Sequence, residues 1–171
     1  QTETSVKNNG LIPYEELDLT GYTSELTYRN NTSIIRQGGN STTDELGSNK
    51  YCGEITVPSG VTTLYTEGSW VTYGTFQYSY ITSVTLPATV TDIQQGAFAD
   101  CPYLRYIDVD STNNKFFDDN GVVYQKKADG THALVAVPGA RQKITILEGT
   151  TEIANRAFDG CFRTKNVTIP A

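Results

Sequence analysis

The sequence predicts a β-rich α/β solenoid: a right-handed stack of short strands and short helical turns, interrupted by a β-hairpin insert. Three observations predict it. Residues 55–64, 84–93 and 144–153 repeat one pattern of apolar, Thr, apolar, a turn, Thr and a closing apolar residue. A second pattern, Ala-Phe-x-x-Cys, recurs at a constant offset of 60 residues, pairing Phe98 with Phe158, Cys101 with Cys161, and Ile93 with Ile153. The composition, rich in Thr, Ser, Asn and Gly, favours strands and turns over long helices.

A unit this short cannot bury its own apolar edges. Val84 to Ile107 and Ile144 to Val167 each span 23 residues. Stacking such units in register lines equivalent side chains into columns, and the columns are the core. The Val-Thr-Leu alternation points apolar residues inward and Thr outward. Pro58, Pro87 and Pro170 end the strands by removing a ladder donor. The Ala-Phe-x-x-Cys stretch suits one turn of helix with Phe as the large inward filler. The expected core is Val57, Leu64, Phe76, Leu86, Ile93, Phe98, Cys101, Leu104, Ile107, Ile146, Ile153, Phe158, Cys161 and Val167.

Taken in chain order, residues 1–50 show no clear repeat and read as a polar tail and a capping region. Within them Leu17-Asp-Leu19 favours a strand, and 30–49 reads as a polar loop with little to bury. The repeat array is expected over 51–171. Its first copy carries a seven-residue insertion at 65–73. The period breaks again at about 116–138, where Val122–Tyr124 and Ala133–Val137 read as two strands joined by a turn around Gly130. That hairpin is expected to add a strand to the stack, continuing the core from Ile107 and Val109 to Ile144 and Ile146.

The repeat resembles the BspA-like (Treponema-type) leucine-rich repeats, commonly written V-T-I-P-x-x-V-T-x-I-x-x-x-A-F-x-x-C-x-x-L. Residues 84–107 match closely, with Leu104 at the Leu position. At 144–169, Leu147 replaces Pro and Thr164 replaces Leu. The insert also resembles a hairpin common in that family. The resemblance implies a leucine-rich-repeat-like fold and an exported bacterial protein, secreted or at the cell surface, associated with adhesion to host proteins or other cells.

Composition bounds the function further. The formal net charge is -6, and Lys126-Lys127 is the one adjacent basic pair, which argues against nucleic acid. No apolar run reaches the ~18 residues of a membrane span. Position 1 opens into polar sequence, so no signal peptide is expected, and export is inferred from the family. A monomer is expected.

No pattern calls for a cofactor or for catalysis. The single His, His132, has no triad around it and reads as a solvated turn residue. Glu15, Glu16, Asp44, Glu45, Asp118 and Asp119 are scattered rather than paired. The run Asp108, Asp110, Asn113, Asn114, Asp118, Asp119 could offer oxygens to calcium, but its spacing is not that of an EF-hand and turn formation explains it. Cys101 and Cys161 read as small buried packing residues, not a disulfide. Cys52 is expected at the edge of the first strand, partly exposed.

The best binding candidate is the aromatic cluster of Tyr65, Trp70, Tyr73, Tyr78 and Tyr80 around the seven-residue insertion. Tyr and Trp favour binding hot spots and can stack on sugars. Packing of the N-terminal region against the stack is the competing reading. Trp70 and Tyr73 are expected to face solvent. The partner expected first is a protein from the host exterior or a bacterial surface. A carbohydrate ligand and a spacer role are the alternatives.

Overall fold

The structure is a computed structural model and describes residues 11–29, 31–36, 38, 49–66, 68 and 73–170. Twelve strands are formed among them: β1 (Ile34–Ile35), β2 (Cys52–Thr56), β3 (Thr63–Leu64), β4 (Tyr80–Leu86), β5 (Asp92–Ile93), β6 (Tyr106–Val109), β7 (Phe116–Asp119), β8 (Val122–Lys126), β9 (His132–Ala136), β10 (Lys143–Thr145), β11 (Thr150–Ile153) and β12 (Asn166–Thr168).

The repeat builds parallel rows. β2, β4 and β6 form one parallel sheet, with Ile55 opposite Val84 and Val84 opposite Ile107. β1, β3 and β5 form a second, with Ile35, Leu64 and Ile93 in register. Within β4 the alternation is as the pattern requires: Val84 and Leu86 are buried and Thr85 is exposed. β2 and β4 stop just before Pro58 and Pro87. The turn that follows is the same each time, with Val61 N–H donating to Pro58 O and Val90 N–H to Pro87 O, both at 3.2 Å.

The N-terminal region is more integrated than the sequence suggested. Ile34 and Ile35 supply the first strand of the second row, and Ile35 and Asn49 are fully buried. The expected polar loop over 30–49 thus gives way to a strand at Ile34–Ile35 and a buried Asn49, while 30, 37 and 39–48 lie outside the described residues. Asn49 uses its whole amide there: Nδ2 donates to Thr75 O and Gln77 O, and Oδ1 accepts from the N–H groups of Gly38 and Tyr51. Leu17–Leu19 does not form a strand; the regular element nearby is a 3-10 turn at Tyr14–Glu16.

The expected helical turns form instead as consecutive reverse turns. Ala97 N–H donates to Gln94 O and Ala99 N–H to Gly96 O, and the later coil repeats this with Ala157 to Ala154 and Asp159 to Arg156. The reason is backbone sign. Gly96 and Arg156 have φ of 74° and 62° at equivalent positions, and Asp100 and Gly160 have 52° and 78°. A residue in the left-handed region ends a helix rather than continuing it. The array is thus a strand-and-turn repeat.

The insert contains three strands, not two. β7, β8 and β9 run as an antiparallel meander, and β9 pairs in parallel with β11. The turn at Gly130 forms with φ of 83°. The insert does not join β6 to β10 by a ladder, because β10 pairs only with β12. Instead the β7–β8 turn wedges in, with Ile107 N–H donating to Gly121 O at 3.0 Å.

Two apolar clusters result. The larger holds Val57, Leu64, Phe76, Leu86, Phe98, Cys101, Leu104 and Ile107, with Ile93 packed on its edge. The smaller centres on Tyr124, Leu134, Val137, Ile144 and Ile146, with Phe158 and Cys161 packed against it. Phe98 and Phe158 therefore do not share one column. Phe76 and Phe98 do stack, with centroids 5.4 Å apart. The next coil presents Val137 where Phe76 stands, since Val137 N–H donates to Ala157 O as Phe76 N–H donates to Ala97 O. Valine is too short to carry the column from Phe98 to Phe158.

Of the expected core residues, Ile93, Phe158 and Cys161 are half-buried and two are exposed. Ile153 is 51% and Val167 45% exposed. Both lie on edge strands, β11 and β12, and among the described residues no strand lies beyond them to cover these side chains.

Candidate functional site

The four described aromatic residues among those singled out by the sequence, Tyr65, Tyr73, Tyr78 and Tyr80, do not converge. Tyr65 follows β3 in the second row, with the Arg29 guanidinium 4.0 Å from its ring centre. Tyr73 is half-buried, and Tyr78 is exposed in a left-handed turn with φ of 62°. Tyr80 opens β4 in the first row. Trp70 lies outside the described residues.

Tyr80 instead packs the N-terminal region against the stack, as the competing reading had it, in a cluster whose other members, Tyr14, Tyr22 and Tyr103, the sequence did not single out. Tyr22 meets it edge-on at 5.0 Å, Tyr103 at 5.9 Å, and Tyr14 reaches Tyr103 at 6.0 Å. Three of these four rings come from far apart: Tyr14 and Tyr22 from the N-terminal region, Tyr103 from the repeat. The join is fixed by Tyr103 Oη, which donates to Ile12 O at 2.7 Å. Burial pushes the phenols of Tyr14, Tyr22 and Tyr103 above the ordinary tyrosine value, so all three are neutral donors at physiological pH.

Beside this cluster lies a cleft of about 420 Å³. Its origin is a step in side-chain size. Two residues past their cysteines, Tyr103 and Arg163 occupy equivalent repeat positions. Between them the insert coil places Ala140, whose N–H donates to Leu104 O. The small residue leaves a notch that the flanking large ones do not fill. Tyr14 and Glu15 close one side, and Arg105 and Glu54 stand at the rim. The Arg163 guanidinium lies 5.7 Å from the Tyr103 ring centre. The repeat alignment holds a signal for the Tyr103–Arg163 pairing; nothing in it points to Tyr14 or Tyr22, which have no repeat register.

A second groove of about 320 Å³ opens where the insert separates the coils, between β5 and the turn at Asn155–Ala157. It is lined by Gln94, Gln95, Gln125, Glu152 and Arg156, a polar set without an exposed ring.

The other chemical candidates are engaged structurally. His132 packs edge-on against Phe117 and Tyr124, so it is half-buried among rings rather than solvated in a turn. In the oxygen-rich run, Asn113 Oδ1 accepts from Lys115 and Phe116 N–H, its Nδ2 donates to Pro87 O and Val90 O, and Asp118 accepts from Val109 and Gly121 N–H. Cys101 is buried and donates to Phe76 O; burial pushes its thiol up to about 12, and that of half-buried Cys161 up to about 11. Cys52, first in β2, is half-buried.

Residues 69–120 and 140–171 match the family model described as BspA type Leucine rich repeat region, in 6 copies. The structure is similar to a leucine rich cell surface protein from Faecalibacterium prausnitzii A2-165, at 25% identity and a TM-score of 0.51, over 71% of this chain and 36% of that one. It is also similar in fold to the pneumococcal vaccine antigen PcpA, at 20% identity and a TM-score of 0.54, over 68% of this chain and 33% of that one. The chain thus spans about a third of the length of each. A search of curated proteins finds no match. No described helix is long and apolar enough to cross a membrane. Its repeated strand-and-turn coils and this family match agree: the repeats of residues 69–120 and 140–171 are of the BspA leucine-rich type.

Proposed function

We propose that the chain is a non-catalytic binding module of a bacterial surface or secreted protein, recognising another protein outside the cell and serving adhesion. One observation carries this reading: the tyrosine cluster and its cleft, where Tyr14, Tyr103, Arg105 and Arg163 line one concave surface on a framework of stacked coils. Tyrosine and arginine are the residue types that dominate protein-binding hot spots. The stacked coils fix the backbone at Tyr103, Arg105 and Arg163, which limits the ordering cost at contact. The family match and the likeness to a cell surface protein support the location.

Sugar binding has less support among the described residues. Stacking on a sugar needs an open ring face, and these rings lean on one another at 54–67°. Tyr103 is buried, with Arg163 over its face.

The test is direct binding. The chain, immobilised on beads, is presented with purified extracellular-matrix proteins and, separately, with a glycan array. Saturable binding of one or more matrix proteins is expected. Binding to glycans alone, or to neither, overturns the reading.

A further inference from the structure

We propose that the cleft beside Tyr103 receives a single carboxylate, the Asp or Glu side chain of the protein partner. This rests on the binding-module reading and names the chemistry of its contact.

Arg105 and Arg163 line the same cleft, and neither forms an ion pair with a described residue. Arg163 goes further: its Nε is buried with no hydrogen-bond acceptor. A guanidinium donor withdrawn from water and left without an acceptor is costly to the free protein, and the remaining N–H groups of the Arg163 guanidinium are the ones a carboxylate in the cleft pairs with. Guanidinium presents a planar fork that matches a carboxylate with two parallel N–H···O bonds. The Tyr103 ring under the Arg163 guanidinium restrains the fork in place.

The rim limits the ligand's charge. Glu15 and Glu54 also line the cleft, and both are exposed. They leave the local charge balanced, so a polyanion meets repulsion where one carboxylate on a neutral or basic carrier does not. The protein's net charge of -6 acts in the same direction. The cleft, about 420 Å³, is larger than a carboxylate, so the carrier enters with it. Because Tyr103 carries Arg163 over its face and Tyr14 tilts against it, an acidic side chain fits this cleft better than a uronic acid sugar.

The experiment follows the Nε–H signals of arginine by nitrogen-15 NMR in the full chain, titrated with three probes. These are N-acetyl-glutamate methylamide, its glutamine counterpart, and glucuronate. The glutamate probe is expected to shift the Arg163 Nε–H signal saturably, with a dissociation constant on the order of millimolar for so small a ligand. The glutamine probe leaves it in place. Arg105→Gln, at an exposed position, weakens the glutamate effect by about tenfold or more, as one charge-assisted pair is lost. The same variant weakens capture of the matrix protein. Arg163→Gln serves as a second variant, with its melting temperature checked against the parent.

Equal shifts from the glutamate and glutamine probes overturn the proposal, as do unchanged titrations in Arg105→Gln. Tighter binding of glucuronate than of the glutamate probe also overturns it, in favour of a sugar. Matrix-protein capture that survives Arg105→Gln removes the cleft from the contact while the binding-module reading stands.

Discussion

The coils before the insert and the coil after it carry nearly the same residues at equivalent positions, yet those residues live in different surroundings. Ile107 on β6 is fully buried, whereas Val167 on β12, its equivalent, is 45% exposed. Ile93 packs on the large cluster, whereas Ile153 stands 51% exposed. Phe162 and Ile169, on the same later coil, are exposed as well. The contrast teaches that burial in a repeat array is a property of neighbours. A coil between two others has both faces covered; one with a single neighbour has one.

The largest effect should come from breaking that equivalence directly. Ile107→Ala removes a side chain from a filled column and is expected to cost about 2–5 kcal/mol of stability. Val167→Ala, the same position in the later coil, is expected to stay within about 0.5–1 kcal/mol. Urea denaturation of the two variants measures both. Similar losses would show that the later coil is as well packed as the earlier ones.

The seam between the two regions is the next place to press. Asn113 is buried and its side chain makes four hydrogen bonds, two back to Pro87 and Val90 in the repeat and two forward to Lys115 and Phe116 at the start of the insert. Asn113→Ala leaves the Lys115 and Phe116 N–H groups and the Val90 carbonyl without the partner Asn113 gave them, while Pro87 O keeps its bond from Val90 N–H, and is expected to cost about 2–4 kcal/mol. Thermal or urea melts read the loss. A change under about 0.5 kcal/mol would mean that the seam is held by other contacts, such as Ile107 N–H to Gly121 O.

The smallest effect concerns the paired cysteines and leaves stability unchanged. At pH 8 a thiol reagent reacts with the thiolate. Burial holds the Cys101 thiol at about 12 and the Cys161 thiol at about 11, so both stay protonated and become reactive only as pH climbs toward those values. Cys161, half-buried, is expected to label sooner than the fully buried Cys101. Equal rates by mass spectrometry would erase this difference between the coils.

Much of the framework was legible because the repeat writes itself in periods. The Val84, Thr85, Leu86 alternation, the turns after Pro58 and Pro87, and the turn at Gly130 all depend on residues a few positions apart. The helical turn was misread because Ala-Phe-x-x-Cys has helical spacing while Arg156 and Asp100 adopt positive φ. No composition rule announces that for a non-glycine residue. Ile34 and Ile35 were overlooked as a strand because a two-residue pairing has no period of its own.

The site was far less legible. Of the four described aromatics picked by sequence proximity, only Tyr80 joins the cluster beside the cleft, because nearness along a coil separates residues onto different rows.

What the sequence determined by itself is the stack: equal spacing of apolar residues makes equal coils, and equal coils pair in register because that alone covers their edges. What only the tertiary structure decided is where the stack opens. Ala140 falls between Tyr103 and Arg163, and Val137 falls between Phe98 and Phe158. Each opening is a mismatch in side-chain volume between residues of different coils, and a mismatch of that kind exists only once the coils lie one upon another.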